Sequence, residues 1–179
     1  MRTCRAAAGK LTVVLVTLTV LAGCGSSGPS PQAWAASVCS ALTPWRSEIS
    51  KLTSSTNEQM TAQTTPAQAK ENLVRLFGGA EQASEDARRK VEQAGVPKVE
   101  RGEEISASFR ASLASMRDAY GRARTTIDGL STGEATVFYD GVQAAVETLK
   151  QEYDASTLDT SELNSEELKR AFDEVPECR

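Results

Sequence analysis

The sequence predicts an all-α protein, an antiparallel bundle of four long helices followed by a short C-terminal helix. Along four long segments, apolar residues recur every three or four positions, which places their side chains on one face of a helix. The connections between these segments are short, as expected between antiparallel neighbours in a bundle. No segment after the N-terminal apolar run shows the sustained alternation of apolar and polar residues that is typical of a half-buried strand.

Residues 1–23 are predicted to be a secretory signal peptide. Arg2, Arg5 and Lys10 precede a short apolar run, and small residues follow it, which is the usual order in an export signal. The run is shorter than the ~20 apolar residues that a membrane-spanning helix needs. It ends in Leu-Ala-Gly-Cys, which resembles the lipobox of bacterial lipoproteins. That resemblance implies cleavage before Cys24, a diacylglyceryl thioether on its sulfur, and attachment to the outer face of the cell membrane.

The cysteine count agrees with a lipid anchor and a disulfide. The chain has four cysteines, and Cys4 is removed with the signal peptide. If Cys24 is lipidated, Cys39 and Cys178 remain as a pair, and an exported protein can oxidise such a pair. A plain signal peptide cut nearby would leave an odd thiol outside the cytoplasm, which is unusual. We therefore predict lipidation of Cys24 and a disulfide between Cys39 and Cys178.

Residues 24–30 are rich in Gly and Ser and are predicted to form a flexible tether, followed by one helical domain over residues 31–179. Ser30 and Pro31 are typical of the N-cap and the first residue of a helix. Pro44 lies inside the first helical stripe, so we expect the helix to be kinked or divided there. The stripe consists of Trp34, Val38, Leu42, Trp45, Ile49 and Leu52.

The second helix is predicted to follow a polar loop over residues 53–65. Its first residue, Pro66, again follows a threonine that can act as the N-cap, and Gly95 can end the helix. The pair Gly78-Gly79 in the middle indicates either a close helix crossing or a hinge. The apolar stripe consists of Leu73, Leu76, Phe77, Ala80, Ala83, Ala87, Val91 and Ala94.

The third and fourth helices are separated by a break at residues 129–133. This break matches the G-x-S-x-G pattern of hydrolases, but that nucleophile needs a preceding strand and a histidine base. The chain contains no histidine, so we interpret Ser131 as a turn residue that caps the next helix together with Glu134. Asn164 and Glu167 form a second capping pair, for the C-terminal helix. The stripes are Ile105, Phe109, Leu113, Met116, Tyr120, Ala123, Ile127 and Leu130, then Ala135, Phe138, Val142, Val146, Leu149 and Tyr153, then Leu168, Phe172 and Val175.

Composition argues against several classes of function. The absence of histidine excludes His-based catalytic dyads and triads and His-ligated metal sites. Cleavage of the leader leaves 17 basic and 24 acidic residues, a net charge of −7, whereas a nucleic-acid partner requires clustered Lys and Arg. We therefore predict no enzyme activity, no cofactor, no metal site and no nucleic-acid partner.

Two functions remain open. The first is a membrane-anchored, non-catalytic binding or structural module of the cell envelope, with an envelope protein or a wall component as its partner. The second is a carrier or sensor of a small hydrophobic ligand or lipid held between the helices. A groove for such a ligand would be lined by Trp34, Trp45, Phe77 and Phe109, although buried aromatic residues more often fill a core.

The layout as a whole resembles a broad group of small actinobacterial exported lipoproteins. Such proteins begin with a Val-Cys-x-Ala-Leu-x-x-Trp helix, which here runs from Val38 to Trp45. They close with Phe-x-x-x-Pro-x-Cys, which here runs from Phe172 to Cys178. The resemblance implies a disulfide-linked helical domain and supplies no active-site residue.

Overall fold

The computed structural model describes residues 28–156 and 163–179, and all regular secondary structure in these residues is helical. Four long helices and a short C-terminal one confirm the predicted fold class. Their bounds are α1 (Pro31–Gln59), α2 (Pro66–Gln93), α3 (Gly102–Asp128), α4 (Ala135–Ala155) and α5 (Glu166–Glu174), followed by a 3₁₀ turn (Pro176–Cys178). The predicted signal peptide and Cys24 lie outside the described residues.

The helices pack in the order of the chain. α2 contacts α1 on one side and α3 most extensively on the other, and α4 packs mainly on α3. α5 and the 3₁₀ turn return to α1. Because α1 and α4 lie at opposite sides of this row, the described helices cover α4 along one face only.

The core consists of two hydrophobic clusters. The first cluster joins α1, α5 and the adjacent parts of α2 and α3, and the second joins α2, α3 and α4. Ile49 packs against both clusters and connects them. The largest members are Trp34, Trp45, Phe109, Leu168 and Phe172 in the first cluster, and Leu73, Phe77, Tyr120 and Ile127 in the second.

Pro44 does not divide α1, which runs as one helix of 29 residues. A proline inside a helix cannot donate a hydrogen bond to the carbonyl four residues earlier. That carbonyl belongs to Ser40, which is exposed, so water can replace the missing donor. The prediction of a divided helix is therefore wrong.

The predicted polar loop is also shorter than expected, because α1 continues to Gln59. Tertiary contacts hold this end of α1 in place. Thr56 is buried, and Leu52 packs directly against Gly79 of α2. A Cβ added to Gly79 would lie only 2.8 Å from the Cδ1 atom of Leu52. Contacts of this kind, rather than local propensity, provide most of the stability of a helix in a protein. The contact with Leu52 also identifies Gly79 as the site of a close crossing between α1 and α2, whereas Gly78 faces Arg124 of α3.

The caps of the first two helices follow the prediction. The Ser30 hydroxyl accepts a hydrogen bond from the backbone N–H of Ala33 at 3.2 Å. Thr65 and Gln68 form a full capping box. Gly95 follows the last turn of α2 with φ of 75°, a left-handed conformation that glycine adopts without steric cost.

The caps of α4 and α5 differ from the prediction. Glu134 is the N-cap of α4 and makes no side-chain capping bond, while the Ser131 hydroxyl accepts a bond from Gly133 within the turn, at 3.3 Å. In α5 the N-cap is Ser165, whose hydroxyl accepts from the backbone N–H of Leu168. The predicted capping roles of Ser131 and Asn164 are therefore wrong.

Candidate functional site

The predicted disulfide between Cys39 and Cys178 is confirmed. The two sulfurs are 2.01 Å apart and join residues separated by 139 positions. The bond connects α1 to the C-terminal 3₁₀ turn, and the nearby Thr43 hydroxyl donates a hydrogen bond to the backbone carbonyl of Glu177 at 3.4 Å. The last residues of the chain are thereby held against the first helix.

Trp34 lies in the centre of the first core cluster and is fully buried. Its ring meets Phe109 at a centroid distance of 5.3 Å and Phe172 at 6.0 Å, in both cases edge to face. Its indole N–H donates to the carbonyl of Gly95 at 3.0 Å, and the Ser106 hydroxyl donates to the same oxygen at 2.9 Å. This tryptophan is thus surrounded by protein partners that satisfy both its apolar surface and its polar atom.

The other predicted groove residues lie in two different places. Trp45 is buried and donates to the Ser84 hydroxyl at 3.0 Å, and that hydroxyl donates to the carbonyl of Ala80 at 2.8 Å. Phe77 belongs to the second core cluster, where it stacks on Tyr120 at 6.5 Å. The structure therefore brings Trp34 and Phe109 together in the core and does not assemble the four predicted residues into one groove.

A different apolar surface is exposed on α4. Tyr139, Val146 and Tyr153 are 40%, 41% and 40% exposed, and they recur every seven residues. Residues seven apart lie within ~20° of each other around a helix, so the three side chains form one line, here named the α4 stripe. Val142 and Leu149 lie half-buried between this line and the core.

The sequence pattern predicts only part of the α4 stripe, because the predicted apolar face of the fourth helix includes Val146 and Tyr153 but not Tyr139. Only Phe138 and Ala145 of α4 are buried, and they occupy the neighbouring arc of the helix. The width of the apolar surface was the available signal, since it spans both the buried arc and the stripe. Among residues 28–156 and 163–179, five large hydrophobic side chains are exposed, and four of them belong to α4: Val137, Tyr139, Val146 and Tyr153.

The main charged network crosses the interface between α2 and α3. The Glu85 carboxylate accepts hydrogen bonds from Arg88 and Arg117, which together lower the pKa of Glu85 to about 2. Arg117 contacts Glu85 at 2.8 Å, and two further pairs cross the same interface: Glu81 with Arg124 at 2.9 Å and Glu92 with Arg110 at 3.7 Å. Every acid here faces a guanidinium group, so the network ties two helices together and presents no free acid or base.

Burial also shifts the pKa of a tyrosine beside the stripe. Tyr120 is buried in the second core cluster, and desolvation, followed by the charge of nearby Tyr153, raises its pKa to about 12. The phenol of Tyr120 therefore stays neutral at physiological pH.

The start of the described chain packs against the connection between α2 and α3, residues 94–101. The backbone N–H of Lys98 donates to the carbonyl of Pro29 at 2.9 Å. A Cβ added to Gly28 would lie 2.1 Å from the carbonyl oxygen of Val96, so the two backbones are in direct contact. An open depression of about 1030 Å³ lies beside them. Residues 24–27 of the predicted tether lie outside the described residues.

Within residues 28–156 and 163–179, no helix has the length and apolarity that a bilayer span requires. The same residues contain no group of three or more Cys, Asp or Glu side chains arranged to hold a metal ion. The surface that stands out is therefore the α4 stripe, together with the packed chain start at the α2–α3 connection. No protein family, curated protein or solved structure matches the chain.

Proposed function

We propose that the protein is a lipid-anchored, non-catalytic binding module of the cell envelope that contacts an envelope protein through the α4 stripe. The observation behind this proposal is the line of Tyr139, Val146 and Tyr153, each about 40% exposed, on a helix that the other described helices cover along one face only. Large apolar side chains exposed in a continuous line are typical of protein-interaction sites.

The spacing of the stripe favours a helical partner. A repeat of seven residues is the interval at which one helix meets another along a coiled-coil seam. With a rise of ~1.5 Å per residue, the stripe is about 21 Å long, enough for three layers of side-chain contacts. Tyrosine suits such a surface because its ring packs while its hydroxyl remains hydrated.

The charges beside the stripe favour a basic flank on the partner. Asp140, Glu147 and Asp154 each follow a stripe residue by one position and lie about 100° around the helix, on the solvent side. All three are exposed. Charges at the rim of an interface mainly set specificity and association rate, so these acids would disfavour an acidic partner.

Photo-crosslinking tests the stripe. A photoreactive amino acid at position 146 should capture a discrete envelope protein in intact cells, whereas the same residue at position 148 should not. The second variant is a matched control, because Thr148 is exposed on the same helix and points about 160° away from Val146, beyond the acidic flank. Equal capture at both positions, or capture of a second copy of the chain alone, would contradict a heterologous partner at this face.

The anchor requires its own test. The lipobox-like sequence that ends at Cys24, and the fact that the other mature cysteines form a disulfide, support lipidation of that residue. Cys24→Ser replaces the thiol by a hydroxyl that cannot form a thioether, so we expect the variant to be uncleaved or released from the membrane. Normal processing and membrane retention of this variant in cell fractionation would disprove the anchor.

A further inference from the structure

We infer that the α2–α3 connection, residues 94–101, lies against the bilayer, so that the helical domain stands upright on this end. The inference rests on the proposed lipidation of Cys24. Residues 94–101 would then form the membrane-facing surface, and the α4 stripe would run away from the bilayer.

The first step is the attachment of the chain start. Pro29 accepts a backbone hydrogen bond from Lys98 at 2.9 Å, and Gly28 lies in backbone contact with Val96. Ser30 then caps α1. The polypeptide therefore leaves the domain from the surface of the α2–α3 connection, at a point held by hydrogen bonding and close packing.

The second step is the length of chain that remains. Only three residues separate Cys24 from Gly28, so four backbone steps of at most ~3.6 Å span no more than about 14 Å. A diacylglyceryl group on Cys24 would hold its sulfur near the lipid headgroups. Val96 must then lie close to that level.

The third step is the position of the attachment point, which lies at one end of the long helices, so the inferred upright orientation puts their other end far from the bilayer. α3 begins at Gly102, directly after the α2–α3 connection, and runs for 27 residues to Asp128. At ~1.5 Å per residue this length is about 40 Å. The connection between α3 and α4, residues 129–134, would therefore lie well above the headgroups.

The chemistry of the membrane-facing surface fits close approach without electrostatic attraction. Val96 is 39% exposed, and the cations Lys98 and Arg101 lie beside it. Acidic residues of the same surface outnumber these cations: Glu100, Glu103, Glu104 and Glu167. Tether length, rather than attraction to anionic lipid, would hold this surface at the bilayer, and its excess negative charge should make approach to anionic lipid less favourable at low salt.

The upright orientation has a consequence for the partner. α4 begins at the far end and returns toward the membrane, so the α4 stripe runs along the membrane normal with Tyr153 nearest the bilayer. A partner that covers the stripe must present a helix standing on the same membrane surface. Glu152, next to Tyr153, pairs with Arg122 of α3 at 3.0 Å, and Arg122 lies about 30 Å along α3 from Gly102 at ~1.5 Å per residue. A protein confined to the headgroup layer would therefore not reach the stripe.

Fluorescence quenching tests the orientation in the lipidated full-length protein. A new cysteine is the only free thiol when Cys24 carries lipid and the other pair is oxidised, so Val96→Cys, Thr132→Cys and Val146→Cys can each be labelled singly. In phosphatidylcholine vesicles with nitroxide-bearing headgroups, we expect strong quenching at position 96 and none at position 132. Quenching at positions 132 and 146 as strong as at 96 would mean that the domain lies on its side, and would overturn the inference.

A tether insertion provides the matched control. Adding about ten Gly and Ser residues between Ser27 and Gly28 raises the r.m.s. reach of the tether to roughly 20 Å, so quenching at position 96 should fall. The same insertion after Thr132 should leave that quenching unchanged.

Mass spectrometry of the protein distinguishes failure of the proposed anchor from failure of the inferred orientation. A protein without a diacylglyceryl group refutes the proposed anchor, whereas a lipidated protein with no quenching at position 96 refutes only this orientation.

Discussion

At the scale of single residues, Glu85 links the stability of the protein to acid pH. Two guanidinium groups lower its pKa to about 2, well below the 4.5 of an ordinary glutamate. The carboxylate therefore stabilises the folded state above about pH 4.5, and this contribution is lost as the pH falls toward 2. Because the side chain is 24% exposed, solvent screening reduces the effect. We expect Glu85→Gln to lower the free energy of unfolding by about 1 kcal/mol at pH 7.

Urea denaturation at several pH values checks this expectation. The deficit of Glu85→Gln relative to the native protein should shrink between pH 4.5 and pH 2. Glu103→Gln is the matched control, because Glu103 is an exposed acid in the first turn of α3. A deficit that is the same at pH 7 and pH 3 would exclude the charged contact as its cause.

Tyr120 links the stability of the protein to alkaline pH. Its pKa is raised to about 12 in the folded protein, whereas a tyrosine in an unfolded chain ionises near pH 10. The buried neutral phenol therefore contributes its full stability below about pH 10, and that contribution is lost as the pH rises to about 12. In a phenolate absorbance titration, Tyr120→Phe should remove a late step. Persistence of that step would assign it to another residue.

At the scale of helices, capping separates two hydroxyl residues that look alike in the sequence. Thr65 completes a capping box with Gln68 at the start of α2, so Thr65→Ala should cost about 1 kcal/mol of stability. Ser131 makes only a bond within its turn, so Ser131→Ala should change stability by less than about 0.5 kcal/mol. Thermal unfolding measures both, and an equal loss in the two variants would contradict these assigned roles.

The sequence predicted the helices better than their ends. Pro31 and Pro66 fix their own backbone angle, and Gly95 permits the left-handed conformation that ends a helix, so these residues mark helix boundaries whatever surrounds them. The C-terminal end of α1 depends instead on Leu52 packing beside α2, a contact that no local pattern contains. Interruption by Pro44 was predicted wrongly because water can replace one lost bond at an exposed carbonyl.

At the scale of the whole molecule, the Cys39–Cys178 disulfide closes nearly the entire domain. For a separation of 139 residues, the loss of chain entropy in the unfolded state gives at most roughly 5 kcal/mol. We expect replacement of both cysteines by serine to lower the free energy of unfolding by about 2–5 kcal/mol. Urea unfolding with and without reductant measures the loss, and reductant should not affect the double variant. No shift of the urea midpoint in either case would contradict a stabilising role.

The arrangement of the core lay beyond the sequence, although the disulfide did not. In a chain that is predicted to be exported and lipidated, counting cysteines leaves Cys39 and Cys178 as one pair. Predicting their disulfide therefore needs no knowledge of geometry. Whether Phe77 and Phe109 line one groove depends on the order in which the helices pack, and the sequence pattern does not contain that order. The structure places these residues in separate clusters because α4 covers one part of α3 and α5 lies near the other. The same packing order leaves the α4 stripe exposed at the side of the molecule.

The disulfide also determines what proteolysis can separate. A cut in an exposed connection, such as residues 129–134, divides the polypeptide between the two bonded cysteines. Both fragments then stay joined through Cys39 and Cys178. With the proposed lipid on Cys24, a nicked protein would therefore stay anchored, and its C-terminal fragment would be released only after reduction.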